Sequence, residues 1–158
     1  MSKDSPLIKD AKNHLLRQQA QKIEKVTPEI RALAKKMKKI MHEADGIGLA
    51  APQIGIPIQL FVAEVEKKFY AICNPEMVKS SKEKIVVEEG CLSLPEIFGP
   101  VKRAKNVTLV GQDLYGRKVR IRVGGLLARV FQHEVDHLNG ILFTDKAEEL
   151  YRYVPQKE

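Results

Sequence analysis

The chain has 158 residues, of which 44% are apolar and 30% charged, with no Trp and a net charge of +7. That length and composition fit one globular domain with an aliphatic core and exclude a disordered chain. No apolar run approaches the roughly 20 residues that span a bilayer, the start shows no apolar leader core, and two cysteines, Cys73 and Cys91, make no disulfide framework.

Residues 1–43 hold 11 Lys/Arg against 5 Asp/Glu, whereas residues 44–158 hold 16 against 15. The basic character therefore belongs to the N-terminal quarter. Residues 7–25 are polar and helix-compatible, with Leu15, Leu16 and Ile23 as sparse apolar points. A clear helix follows: Thr27 is a cap and Pro28 suits the first helical position. Ile30, Leu33, Ala34, Met37, Ile40, Met41 and Ala44 then recur at steps of three and four and share one face. Lys35, Lys36, Lys38 and Lys39 mostly face the other way. An RNA-binding face is one reading of that run. A solvated helix surface is the ordinary one.

The helix stops at Asp45-Gly46. Gly46-Ile47-Gly48-Leu49-Ala50-Ala51-Pro52-Gln53 has almost no side-chain bulk, so its backbone can approach a strand or a ligand closely. From residue 58 the texture is β. Ile58–Val65, Lys68–Cys73 and Lys84–Glu88 read as strands, and Asn106–Gly111 with Arg117–Val123 reads as a hairpin around Asp113-Leu114-Tyr115-Gly116. After Gly124-Gly125, Leu126 to Leu138 forms a second helix, which stops near Gly140. The order of helix, strands and helix predicts an α+β fold.

The second helix contains Gln132-His133-Glu134-Val135-Asp136-His137. Residues four apart lie one turn above each other, so both imidazoles can reach one metal ion. Glu134 follows the first ligand and can take a proton from a water activated by that ion. A third ligand is required. The extended pattern that supplies a third histidine fails at Phe143. His14 and His42 lie in the lysine-rich region, and Glu148 and Glu149 lie too close to His137 for a second helix to present them. A cysteine or an upstream carboxylate remains. Cys73 sits in an apolar strand and reads as a small buried hydrophobe. Cys91, in Glu89-Gly90-Cys91-Leu92-Ser93-Leu94-Pro95, sits in an irregular turn and is the better ligand. Two His and one Cys with an open position form a catalytic rather than a structural set.

Gly46 to Gln53, Glu89 to Ser93 and Gln132 to His137 resemble, in the same order, the three signature motifs of peptide deformylases. The resemblance runs from about Val26 to Lys146. It implies antiparallel sheets packed around a central helix that carries the His-Glu-x-x-His motif. It also implies a hydrolase that releases formate from the formyl-methionine of nascent proteins. By that resemblance Cys91, His133 and His137 are the metal ligands and Glu134 is the general acid/base. Gln53 and the Leu92 backbone N–H stabilise the oxyanion, and Gly46, Gly48 and Gly90 bring backbone against the substrate peptide. Ile47, Val87, Leu126 and Val130 are candidates for the methionine pocket. The ion implied is ferrous iron, with zinc or nickel as substitutes. The setting implied is cytoplasmic, or an organelle of bacterial descent, with contact to the ribosome surface through the basic N-terminal region.

Two departures from the family stand out. Residues 1–25 form a divergent segment and 147–158 a short tail around one catalytic domain. Arg129 also places a charge in the apolar first turns of the second helix, where it is expected to face solvent. A metallopeptidase or another amidase is the rival enzyme reading. A basic RNA-binding protein with a vestigial site is the rival from outside enzymology.

Overall fold

A computed structural model describes residues 5–156. The first helix, α1 (Pro28–Glu43), starts where its cap predicts, with Thr27 Oγ1 accepting the Ile30 N–H at 3.4 Å. Three strands follow: β1 (Gly48–Ala50), β2 (Leu60–Val65) and β3 (Lys68–Ser80). Next come β4 (Lys84–Cys91), β5 (Leu94–Ala104), β6 (Asn106–Gln112) and β7 (Lys118–Gly124). Helix α2 (Gly125–Leu138) and a two-residue strand, β8 (Tyr151–Arg152), complete the order.

All sheet pairings are antiparallel, in a five-stranded sheet β1-β2-β3-β6-β7 and a three-stranded sheet β4-β5-β8. Strand alternation puts successive side chains on opposite faces. Leu49, Leu60 and Val62 therefore pack with Met37, Ile40 and Met41 of α1. Ala50, Phe61, Ala63 and Leu109 pack with Val130 and Phe131 of α2. Helix α2 also docks on β5: Gln132 Oε1 accepts the Ala104 N–H at 3.0 Å and its Nε2 donates to the Ala104 carbonyl at 2.9 Å. The motif helix thus lies between the two sheets, as the α+β reading expects. Among the described residues no helix is long and apolar enough to cross a membrane.

Two expectations fail locally. Residues 7–25 are not helical apart from one 3-10 turn at His14–Leu16. Asn13 Oδ1 accepts the Leu15 N–H at 3.0 Å, a local bond that competes with helix. The rest runs extended and is tied elsewhere, with Ile8 N–H donating to the Gln53 carbonyl at 2.7 Å and Ala20 N–H to the Leu138 carbonyl at 2.8 Å. Strand β5 has no counterpart in the sequence reading. It contains Pro95, Gly99 and Pro100, and Glu96 has φ of +67°. Proline is tolerated because β5 is an edge strand for most of its length.

Candidate metal centre and its cavity

Helix α2 presents His133 and His137 one turn apart, and Cys91 ends β4 beside them. One ligand atom from each lies within 4.8 Å of the others. The His133 and His137 Nε2 atoms are 3.1 Å apart, and Cys91 Sγ is 3.3 Å from His137 Nε2. A tetrahedral ion with bonds of about 2.0–2.1 Å to nitrogen and 2.3 Å to sulfur separates its ligand atoms by about 3.3–3.6 Å. The His133–His137 and Cys91–His137 separations are close to that geometry, and the Cys91–His133 pair lies within 4.8 Å. His133 Nδ1 lies 2.9 Å from Glu89 Oε1 and donates to it, which turns the Nε2 lone pair toward the centre. Burial opposes charge on His133, but hydrogen bonds to Cys91 and Glu89 outweigh it and raise its pKa well above the usual value. Burial, then repulsion from His133, holds His137 well below it. Two facing imidazoles and a thiol form a donor set suited to one cation.

Behind the ligands lies an ion-pair chain. Arg103 grips Glu89 with two bonds of 2.8 Å and reaches Asp136 at 2.6 Å. Lys146 closes on Asp136 at 2.9 Å. The Arg103 side chain is 2% exposed. Burial alone would raise the Glu89 pKa. The hydrogen bonds from Arg103 and then His133 reverse that and bring it to about 2. Glu89 stands in the Cys91 motif without a role legible from sequence, and Arg103 carries no motif at all.

Glu134 lies on the cavity side of the same helix. Its Oε2 is buried without a hydrogen-bond partner. Burial raises its carboxyl to about 7, against the opposing charge of His133. A Cβ on Gly48 would stand 2.5 Å from Glu134 Oε1 and 3.0 Å from Val130 Cγ1. Gly48 is glycine because the carboxylate occupies that space. In a Gly48→Ala variant Glu134 must shift, and a 1 Å displacement of a reacting group costs about 10²-fold. The expected result is a kcat/KM about two orders lower with the metal content unchanged; wild-type turnover would contradict this packing.

Gln53 is 1% exposed. Its Oε1 accepts the Ala50 N–H at 2.9 Å, which fixes the amide orientation. Its Nε2 donates to Ser93 Oγ at 3.1 Å and points at Cys91 Sγ at 3.6 Å. The NH₂ group therefore sits beside the metal donors.

A cavity of about 610 Å³ opens over this centre. Gly46, Ile47, Gly48, Gly90, Leu92, Leu126 and Val130 line it together with Gln53, Cys91, His133 and Glu134. His137, 1% exposed, adjoins it on the metal side. Val87 does not line it: the residue pairs with Val101, one two-residue strand step upstream of Glu89. Arg129 corrects the solvent-facing expectation, since it lines the cavity and its Nε is buried without a partner. It precedes His133 by four residues, so helix periodicity already placed it on the site face. Leu7 and Phe98 also line the cavity. Neither was legible, because one lies in the extended N-terminal segment and the other in β5.

A family profile described as polypeptide deformylase matches residues 6–153. A peptide deformylase of Desulforudis audaxviator is 43% identical over 139 residues, covering 87% of this chain and 90% of that protein. A chloroplastic peptide deformylase 1B of Oryza sativa is 43% identical over 137 residues, covering 84% of this chain and 51% of that protein. Among solved structures, a peptide deformylase from Synechococcus elongatus in complex with actinonin superposes with a TM-score of 0.89 at 39% identity, covering 94% of this chain and 82% of that one. One from Thermotoga maritima gives 0.85 at 40% identity, covering 87% and 93%.

Proposed function

This chain belongs to the polypeptide deformylase family and is a metal-dependent hydrolase of N-formyl nascent peptides, and from that premise we propose how its residues share the work. The observation that supports the assignment most directly is the convergence of Cys91, His133 and His137 beside the unpartnered Glu134 carboxylate. Cys91, His133 and His137 would hold the ion. When bound, it supplies a Lewis acid for the formyl oxygen and lowers the pKa of a water to about 7.

Every other step belongs to side chains and backbone. Glu134 accepts the proton of the attacking water and returns it to the leaving amine. Gln53 Nε2 and the Leu92 N–H donate to the charge that develops on the formyl oxygen. Strand β1 pairs with β2 on one side only, so its other edge at Gly46–Gly48 can take an extended peptide as an added strand. Gly90 offers the opposite wall. Ile47 and Leu126, each 43% exposed, and Val130 form an apolar mouth for methionine. The catalytic unit proposed is the whole of 1–158, including the segment before Val26.

Thiolate and two imidazoles suit ferrous iron as well as zinc or nickel, and we take iron as the working ion. The deciding assay compares formyl-, acetyl- and unblocked methionyl peptides on anaerobically iron-loaded and zinc-loaded enzyme. Release of formate alone, faster with iron, is the expected result. Cleavage of internal peptide bonds would favour a peptidase, and equal rates with zinc would remove the case for iron.

The setting we propose is cytoplasmic, or an organelle of bacterial descent. Ribosome contact through the N-terminal region is part of this reading. On α1, Lys38 pairs with Glu64 at 3.5 Å and Lys39 with Glu43 at 4.0 Å, while Lys35 and Lys36 are exposed. Neutralising all four should leave hydrolysis of a free formyl-methionyl peptide unchanged and weaken co-sedimentation with ribosomes. Unchanged co-sedimentation would return these lysines to a solvated face.

A further inference from the structure

Residues 44–158 are nearly neutral by count, yet their charges are sorted in space. Glu89 and Asp136 are held by Arg103 behind the metal centre, Glu134 is buried beside it, and Glu64 is drawn to α1. The cations left over gather elsewhere. In β7, Lys118, Arg120 and Arg122 alternate with Val119, Ile121 and Val123, which pack toward α2. The three cations therefore share the opposite face, the one that α1 covers over β1 and β2.

Cross-strand register extends this face. Arg122 stands opposite Thr108, and Thr108 opposite Lys79, while Arg120 stands opposite Val110. A cavity of about 370 Å³ lies there, lined by Lys79, Ser80, Asn106, Thr108, Arg120 and Arg122 among others, and none of its lining residues is acidic. Among the described residues Lys79, Lys118, Arg120 and Arg122 make no ion pair, as the nearby Lys105 does with Glu83 at 3.3 Å. Two acids share the wider face: Glu76, opposite Val110, and Glu64, which is taken up by Lys38 and His42 of α1.

We infer that this face of the five-stranded sheet, centred on Lys79, Thr108, Arg120 and Arg122, binds the phosphate backbone of RNA. The dimensions favour a polyanion over one small anion. The β7 cations recur at about 6.7 Å per two-residue step, and Lys79 and Arg122 are two strand spacings, about 10 Å, apart. The hydroxyl and amide groups between them are ordinary phosphate partners. None of the residues lining this cavity is aromatic, so it offers charge and hydroxyl groups to a backbone rather than a stacking platform to bases. It also lies on the far side of the sheet from α2, which leaves the catalytic cavity open to a peptide while RNA is bound.

The test is fluorescence anisotropy of a labelled 20-base-pair RNA duplex with the full, metal-loaded chain between 50 and 300 mM KCl. Each duplex phosphate neutralised adds about 0.9 to the slope of log Kd against log salt. The Lys79→Ala/Arg120→Ala/Arg122→Ala variant should bind at least about tenfold more weakly, with a slope smaller by about 2–3. It should still hydrolyse a free formyl-methionyl peptide at the wild-type rate, which shows that the fold is intact. Arg120→Lys/Arg122→Lys keeps the charge and should keep the slope. Three results would overturn the inference: no binding by the wild type at 50 mM KCl, an unchanged slope in the triple variant, or displacement of the RNA by polyglutamate at equal charge, which would assign the face to an acidic protein.

Discussion

Replacing Glu134 with alanine should lower kcat/KM by about 10³–10⁴-fold while iron or zinc stays bound. Cys91, His133 and His137 supply the ligand atoms, and Glu134 is not among them. The loss therefore falls on proton transfer. One positioned acid or base contributes about 10²–10⁴-fold, and Glu134 would serve both for the water and for the amine. Two observations set it in place. Oε1 is packed where a Gly48 side chain would be, and Oε2 is buried with no partner. Burial raises its carboxyl to about 7, and a neighbouring cation favours the ionised, proton-accepting form. Glu134→Gln, which keeps the shape, should fall as far as alanine. Metal analysis beside the kinetics separates the cases. Activity within tenfold of wild type would remove Glu134 from the proton path, and loss of metal with activity would make it structural.

The histidine pair was legible because helical periodicity is local: four residues make one turn, whatever packs around it. Gln53 and Cys91 were legible through their motifs, and the structure shows why those motifs are tight, since the Gln53 amide is clamped by the Ala50 N–H three residues earlier. The supports behind the metal were not legible. Glu89 and Arg103 are 14 residues apart on neighbouring strands, four positions out of register, and meet because the long Arg103 side chain reaches along the sheet to Glu89 and across to Asp136 of α2. No periodicity within one segment signals such a pair. The strand that carries Arg103 was itself hidden by Pro95 and Pro100, which stand outside the short Ile97–Phe98 pairing with β8. Arg129 is a different kind of miss. Its place one turn before His133 follows from the helical period, and the long stem lets its charge reach the cavity while its Nε is buried. Leu7 shows a third limit: an extended segment held by backbone bonds to distant strands leaves no pattern in its side chains.

Arg103→Leu is expected to cost about 3–5 kcal/mol of stability, because removing one partner of a buried ion pair leaves the other charge uncompensated. The Arg103 side chain is 2% exposed and bridges two carboxylates whose side chains are 10% and 13% exposed. Asp136 keeps Lys146, but Glu89 keeps only His133. A loss of 3 kcal/mol in a chain this long lowers Tm by roughly 6–12 °C. Metal affinity should also fall by about 10–100-fold, since Glu89 orients His133 through Nδ1. The pH dependence identifies the cause. In the wild type the Glu89 pKa is depressed to about 2 from an ordinary 4.5. Its stabilising effect is therefore complete above about pH 4.5 and is lost as pH falls toward 2. Without Arg103, burial opposes the Glu89 charge and only His133 still favours it, so the variant has less of this contribution to lose. The stability gap between wild type and variant should narrow between pH 4.5 and 2, and urea unfolding of both proteins across that range measures it. Adding Glu89→Gln to Arg103→Leu should restore part of the loss at neutral pH by removing the stranded charge. A gap that stays constant with pH, or no rescue in the double variant, would mean that Arg103 acts through packing of its stem and not through the carboxylates it bridges.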